Sequence, residues 1–422
     1  MIASVERSEV SGEVFVPPSK SYTHRAIIIS ALGAGGLVKR PLISADTKAT
    51  ISAVEAFGAL TDLDSDLEIA GVRGKPLTPE DVIDVKNSGT TLRFMSAVAA
   101  LTQGAILTGD SSIRRRPNGP LLQALNDLGA QAFSIRENDC APLVVRGKMS
   151  GSKISLDGSV SSQFLSALLI ASPLARDDAE IRIVGELKSR PYAEITLEML
   201  KESGAKIETD FKTFQFEGGQ CYNLGNYTVP GDFSSASYLL AAAAVTGSKL
   251  VVKGLRPSKQ GDSAIVDVLE KMGARISWDK EAGILRIEGG ELSGIEVDAS
   301  LTPDLVPTIA VLGAVASGKT VIKNAEHVRH KETDRLSAMA TELSKMGVEI
   351  EERPDGLVIE GGKLGGALVS GHHDHRIVMA LTVAGMVAGD TVIDTAESVA
   401  ISYPDFFQDI IKIGAEVKVA EG

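Results

Sequence analysis

The sequence predicts an α/β protein of two similar domains, built from six repeated units divided three and three. A period carries most of this reading. "AFGAL" at Gly58, "DLGAQ" at Gly129, "ESGAK" at Gly204, "KMGAR" at Gly273, "KMGVE" at Gly347 and "KIGAE" at Gly414 recur at intervals of 71, 75, 69, 74 and 67 residues. A more apolar segment precedes each: "HRAIIISALGAGG", "TLRFMSAVAALTQG", "QFLSALLIASPLA", "SYLLAAAAVTGS", "VPTIAVLGAVASG" and "RIVMALTVAGMVAG". The stretch "GGQCYNLGNYTVPGD", residues 218–232, is rich in glycine and turn residues and parts the six as three and three. A chain of 422 residues exceeds one ordinary core, in keeping with two domains.

Each unit reads as apolar helix, strand, amphipathic helix, Gly-Ala turn, strand. The apolar helices have no polar face and are expected to be buried on all sides. The second helices, such as "GPLLQALNDLG" and "DSAIVDVLEKMG", mix charge with apolar residues and are expected to lie partly exposed. Glycine after a helix serves as its left-handed cap. Runs such as "KLVVKGL", "KTVIKNA" and "DTVIDTA" supply strands.

Composition narrows the function. Hydrophobic content of 44% and charged content of 23% are those of a globular protein, and a net charge of -12 argues against general nucleic-acid affinity. Cys140 and Cys221 form no CxxC pair and suggest neither a disulfide framework nor a zinc site. The first residues, "MIASVERSEV", lack an apolar run of signal-peptide length, and no segment has the uninterrupted apolar length of a membrane span. A protein of the reducing cytosol is the expectation.

Against that acidic background, cations gather before the apolar helices. "PPSKSYTHR", residues 17–25, sets Lys20, Ser21, His24 and Arg25 ahead of an uncharged helix. Similar clusters are "NSGTTLR", "GSVSSQF", "PGDFSSAS", "TPDLVP" and "GHHDHR". Serine and asparagine there serve as caps, but Lys20, Arg25, Arg93 and Arg376 do not. Helix N-termini present unpaired N–H groups and partial positive charge, so added cations suit a phosphate or carboxylate ligand. If the helices run in parallel within a domain, these clusters converge.

Other motifs are weaker. "GAVASGKT", Gly313–Thr320, matches the P-loop pattern, but a helix leads in and a strand leads out, the reverse of a nucleotide site. "HHDHR", residues 372–376, resembles a metal cluster, yet ligands within so few residues cannot surround one ion. The six histidines (His24, His327, His330, His372, His373 and His375) flank cationic clusters, which favours polar site residues over core histidines. At least one arginine of "RRRPNGPL" is expected to face the anion cleft. In "HKETDRL", Thr333 and Asp334 suit a helix cap, leaving Lys331, Glu332 and Arg335 for chemistry.

"PPSKSYTHR", "NSGTTLRF", "RRRPNGPL", "GSVSSQFLSALL", "KSRPY", "VPGDFSSASY", "TPDLVPT", "HKETDRL", "HDHRIVMA" and "SYPDFF" stand in an order that resembles the 5-enolpyruvylshikimate-3-phosphate (EPSP) synthase family, from about residue 10 to about 408. The resemblance implies a two-domain inside-out α/β barrel of βαβαββ units, with residues 1–18 and 231–422 in one domain and 19–230 in the other. It implies transfer of the enolpyruvyl group of phosphoenolpyruvate to the 5-hydroxyl of shikimate 3-phosphate, releasing phosphate without metal or cofactor. No nucleic-acid or membrane partner is implied, and a monomer suffices.

Residue by residue, the resemblance gives Lys20, Ser21, Arg25, Ser161, Ser162, Gln163 and Ser189 to shikimate 3-phosphate, with Tyr192 lining that side. Phosphoenolpyruvate falls to Lys20, Gly89, Arg116, Gln163, Arg335 and Arg376. Asp304 takes the proton of the 5-hydroxyl with Lys331 beside it, and Glu332, with Lys20, protonates the methylene carbon. Two positions depart from the family pattern: Ile401 stands where many members have lysine, and His327 where many have asparagine. The alternatives are UDP-N-acetylglucosamine enolpyruvyl transferase and a non-catalytic anion-binding protein of the same fold. The former usually has a loop cysteine where Ser111 stands and asparagine in place of Ser21.

Overall fold

The computed structural model describes residues 1–421. It separates into two compact units, Met1–Pro17 with Pro230–Gly422 and Pro18–Val229. Among the described residues each unit holds three four-stranded sheets and its own apolar core.

One topology explains all six sheets. A first strand leads into a buried helix, a second strand returns parallel to the first, an amphipathic helix follows, and a hairpin completes the sheet. Residues 153–216 show it without interruption. Lys153–Asp157 pairs in parallel with Ala179–Val184, which pairs antiparallel with Thr213–Phe216, and Glu208–Thr209 lies at the edge. The parallel pair needs a crossover, and the helix Ser162–Ala171 supplies it. Each repeated glycine sits where the amphipathic helix ends, with φ of 98, 98, 90, 113, 91 and 120° at Gly58, Gly129, Gly204, Gly273, Gly347 and Gly414. A side chain there strains the backbone, so the period marks six obligatory left-handed turns. The apolar helices follow this rule less closely: Gly33 ends its helix at φ -89°.

Three places depart from the simple repeat. Glu13–Phe15 precedes the helix Lys20–Leu32 in sequence, yet it belongs to the unit of residues 1–17 and 230–421 and pairs in parallel with Lys249–Lys253 of that same unit. Tyr227–Thr228 precedes the helix Phe233–Val245, yet pairs in parallel with Gly35–Lys39. Each connection between units therefore leaves its first strand behind. In addition, Ile2–Val5 lies between Thr391–Ile393 and Val417–Ala420, antiparallel to both. The six sheets remain separate among the described residues, with no strand pairing that closes them into a barrel.

The apolar helices form the interior of each unit. From Tyr22 onward every residue of Lys20–Leu32 is buried, and Val306–Val315 is buried through Ala314. The P-loop-like stretch runs from this latter helix into the strand Lys319–Lys323, the reverse of a nucleotide-binding turn. No helix among the described residues is long and apolar enough to cross a membrane.

The position of Ile2–Val5 can be tested. Val5 and Ala3 are fully buried, and burial of Val5 alone contributes about 2 kcal/mol. A chain beginning at Glu6 is expected to unfold at a clearly lower urea concentration. An unchanged midpoint would contradict a central strand there.

Candidate active site

Within the unit of residues 18–229, the starts of three buried helices are joined by side chains. Arg25, 2% exposed, donates from Nε to Thr196 Oγ1 (2.7 Å), from Nη1 to the Ser21 carbonyl (2.8 Å) and from Nη2 to Ser166 Oγ (3.2 Å) and the Tyr192 carbonyl (3.0 Å). All four acceptors are neutral. Burial lowers its pKa to about 10, still far above neutrality, so the guanidinium remains a buried cation. Arg93 donates from Nη1 to Gln163 Oε1 and from Nε to Asn118 Oδ1 (3.2 Å), while Gln163 Nε2 donates to Thr90 Oγ1 (3.0 Å). Lys20 lies 3.0 Å from the Asp46 carboxylate.

The neighbouring residues follow from local geometry. Ser161 caps Ser162–Ala171 by accepting from the Gln163 N–H, and Ser162 opens that helix. Ser189 precedes Arg190–Glu202 with φ 54° and makes no side-chain cap bond, a strained conformation that turns Lys188 and Ser189 as a corner. Of the three consecutive arginines, Arg114 and Arg115 are exposed and Arg116 is buried, donating from Nη2 to Ser112 Oγ (3.0 Å). Gly89 makes that position of Arg116 possible: a Cβ on Gly89 would lie 2.9 Å from Arg116 Nη1.

The unit of residues 230–421 gathers charges of both signs. Asp304 stands in the turn Pro303–Leu305 that opens Val306–Val315. Arg335, 1% exposed, begins Arg335–Lys345, whose cap is Asp334. Arg335 donates from Nη1 to Asp304 Oδ1 (2.8 Å), from Nη2 to Glu332 Oε2 (2.7 Å) and Asp374 Oδ1 (3.2 Å), and from Nε to Asp374 Oδ2 (2.8 Å). Arg376 donates from Nη2 to Asp304 Oδ2 at 2.8 Å, and Lys331 Nζ lies 4.0 Å from Asp304. Asp374 caps His375–Ala388 by accepting from the Arg376 N–H.

These contacts set the ionisation of the cluster. Burial alone would favour the neutral acid of Asp304, but Arg376, Lys331 and Arg335 outweigh it and hold the carboxyl well below the usual range. Burial would likewise favour neutral Arg335, but Asp374, Glu332 and Asp304 raise it further above its ordinary value. Asp262, behind this cluster and hydrogen-bonded by Ser234 Oγ, is pushed up to about 7, first by burial and then by Asp304.

Sequence reasoning missed the acids that hold the cations, Asp46 and Asp374, and also the buried Asp262. Asp374 was in view within "HHDHR", a stretch weighed only as a metal cluster and judged a poor one; among the described residues no group of three or more potential ligands is placed to hold an ion. The histidines also need correction. His24, His327 and His375 are buried. His24 Nδ1 meets Thr50 Oγ1 at 2.7 Å, and Thr50 and Ser88 each meet Thr91 Oγ1 at 2.6 Å. A chain of hydroxyls thus runs from His24 across three helices. Burial, then Lys20 and Arg25, lowers the His24 pKa well below its ordinary value. It is a neutral core histidine, and the flanking cations that suggested a polar site residue are part of what keeps it neutral. Ile401 ends the turn Ala396–Ile401 and supplies no cation.

The family described as EPSP synthase (3-phosphoshikimate 1-carboxyvinyltransferase) matches residues 5–410. The chain belongs to the EPSP synthase family. It is 69% identical to the 3-phosphoshikimate 1-carboxyvinyltransferase of Methanothrix thermoacetophila over the whole of both chains. It is 62% identical to that of Methanocella arvoryzae, covering 99% of this chain and 100% of the relative. An EPSP synthase structure from Acinetobacter baumannii covers 99% of this chain and 100% of its own, with 28% identity and a TM-score of 0.83. EPSP synthases transfer the enolpyruvyl group of phosphoenolpyruvate to shikimate 3-phosphate, and the chain is an enzyme of that class. The family places it in the shikimate pathway and favours this reading over the UDP-N-acetylglucosamine and non-catalytic alternatives.

The neutrality of His24 has a consequence for stability. Unfolding lets the ring titrate at about 6.5, so below that pH the unfolded chain binds a proton that the folded chain excludes. Stability contributed by His24 is therefore complete above pH 6.5 and falls by up to about 1.4 kcal/mol per pH unit below it. Urea unfolding of His24→Gln is expected to lose less between pH 7 and pH 5 than unfolding of the parent protein. Parallel losses would contradict a neutral buried ring.

Proposed function

We propose that the residues now placed divide the enolpyruvyl transfer as follows. Arg25, Ser21, Ser161, Ser162, Gln163 and Ser189 hold shikimate 3-phosphate, with Lys20 shared between the two substrates. A dianion suits Arg25 in particular, since that buried cation is surrounded by neutral acceptors. Arg116, Arg335 and Arg376 bind the carboxylate and phosphate of phosphoenolpyruvate. Gly89 keeps room beside Arg116.

The chemistry falls to the carboxylates. The 5-hydroxyl oxygen bonds to C2 of phosphoenolpyruvate as its proton passes to Asp304, with Lys331 alongside. The methylene carbon receives a proton from Glu332. Breaking the C2–O bond to the phosphate group then releases phosphate, and the new methyl group returns a proton to the Glu332 carboxylate, which restores the double bond. Each proton that enters the carbon leaves it again, so no net oxidation or reduction occurs, and no metal or cofactor is required.

One observation carries the assignment: Arg335 and Arg376 meet on Asp304 while Arg335 also holds Glu332. An anion-binding pair, a candidate base and a candidate acid thus share one cluster. Every residue given a role lies on one chain, which supports a monomer, and two free thiols support a reducing cytoplasm.

Phosphate release from phosphoenolpyruvate with shikimate 3-phosphate, and its absence with UDP-N-acetylglucosamine, tests the substrate. General-base catalysis contributes roughly 10²–10⁴ in rate. Asp304→Ala is expected to lose turnover by that factor while still binding shikimate 3-phosphate. Near-normal turnover would remove Asp304 from the mechanism.

A further inference from the structure

The base assigned to Asp304 sits where a substrate anion belongs. A guanidinium has five N–H groups in a rigid fork. Arg335 directs Nε and Nη2 to Asp374, a second Nη2 contact to Glu332, and Nη1 to Asp304. Arg376 directs Nη2 to the other oxygen of Asp304. One carboxylate therefore spans two guanidinium groups, with one oxygen at 2.8 Å from each. That is the geometry by which arginines bind a carboxylate or phosphate ligand.

Charge balance leads to the same place. Lys331, Arg335 and Arg376 are paired with Asp304, Glu332 and Asp374, and Asp262 lies close enough to feel Asp304, so the cations already meet at least as many carboxylates. An incoming anion gains little from such a cluster until one carboxylate withdraws. Asp374 is poorly suited to leave: it is fully buried, grips Arg335 with both oxygens and caps a helix. Glu332 meets Arg335 through an Nη2 shared with Asp374 and does not bridge the two arginines through that contact. Asp304 is 15% exposed, stands in a single turn and is the carboxylate that touches both arginines.

We propose that Asp304 is the resident occupant of the phosphoenolpyruvate anion site, and that substrate anion and catalytic base exchange places. The incoming anionic group takes the N–H groups of Arg335 Nη1 and Arg376 Nη2, and the displaced carboxylate becomes the acceptor of the hydroxyl proton. Asp304 thereby gains a second role, as an internal competitor that the substrate must displace. The exchange answers a difficulty in the resting arrangement, because a carboxylate held between two guanidinium groups with an ammonium nearby is a weak proton acceptor. Arrival of phosphoenolpyruvate would supply the reactant and unmask the base in one step. The inference rests on the residue roles proposed above.

Calorimetric titration with phosphoenolpyruvate alone tests it. Asp304→Asn and Asp304→Ala are expected to bind phosphoenolpyruvate at least tenfold more tightly than the parent protein, although both lose turnover. Equal or weaker binding by a folded variant overturns the exchange. Glu332→Gln removes the same charge without vacating the bridge and is expected to gain much less. An equal gain there would mean that overall charge governs affinity, which also overturns the proposal. The parent protein gives an independent readout that needs no variant to fold. Isotope-edited infrared difference spectra of ¹³C-aspartate-labelled protein must show an aspartate carboxylate band shifting when phosphoenolpyruvate is added. An unchanged aspartate spectrum contradicts displacement. Phosphate release by the parent enzyme tests the underlying function separately, so the two can fail independently.

Discussion

Arg335 is the interaction on which the site of residues 230–421 depends. A guanidinium that is 1% exposed is costly unless every part of it is paired. Its partners come from three separate segments: Asp304 before one buried helix, Glu332 in the approach to its own helix, and Asp374 at the cap of another buried helix. One side chain therefore fixes how three chain segments approach each other. Removing any partner leaves an uncompensated charge in the interior, which typically costs about 3–5 kcal/mol. The same contacts that secure the fold bring together the residues proposed as base, acid and anion-binding pair.

The other unit solves a related problem differently. Arg25 is equally buried, but hydroxyls and backbone carbonyls hold it, and in the proposed function the phosphate of the substrate neutralises its charge. A phosphate that docks there displaces no carboxylate. At Arg335 and Arg376, by contrast, Asp304 already occupies the N–H groups proposed for the substrate anion. The two units thus share a repeat topology while differing in how they prepare for negative charge. That difference lies in a few side chains at helix starts, where hydroxyls in one unit are answered by carboxylates in the other.

Much of the fold was legible because its repeat is imposed by backbone geometry. A left-handed turn after each amphipathic helix requires glycine, so Gly58, Gly129, Gly204, Gly273, Gly347 and Gly414 declare the period directly. The strands that stay in the unit before each crossing were not legible: Glu13–Phe15 and Tyr227–Thr228 have three and two residues, too short for any alternation to show. In the site, cations before apolar helices stood out because they are poor caps. Their acidic partners did not, since Asp46 and Asp374 resemble ordinary caps or first-turn acids in sequence. His24 shows the limit most clearly, because burial against neighbouring helices cannot be read from a polar flank.

The pairing of Arg335 with Asp374 is the most direct place to test this account. A double-mutant cycle of Arg335→Gln, Asp374→Asn and both together, followed by urea unfolding, isolates their coupling. Each single variant is expected to be strongly destabilised, and the double variant much less than the sum, with a coupling of about 2–3 kcal/mol. Additive losses, with coupling below about 0.5 kcal/mol, would show that the buried guanidinium does not organise the site and would contradict the account.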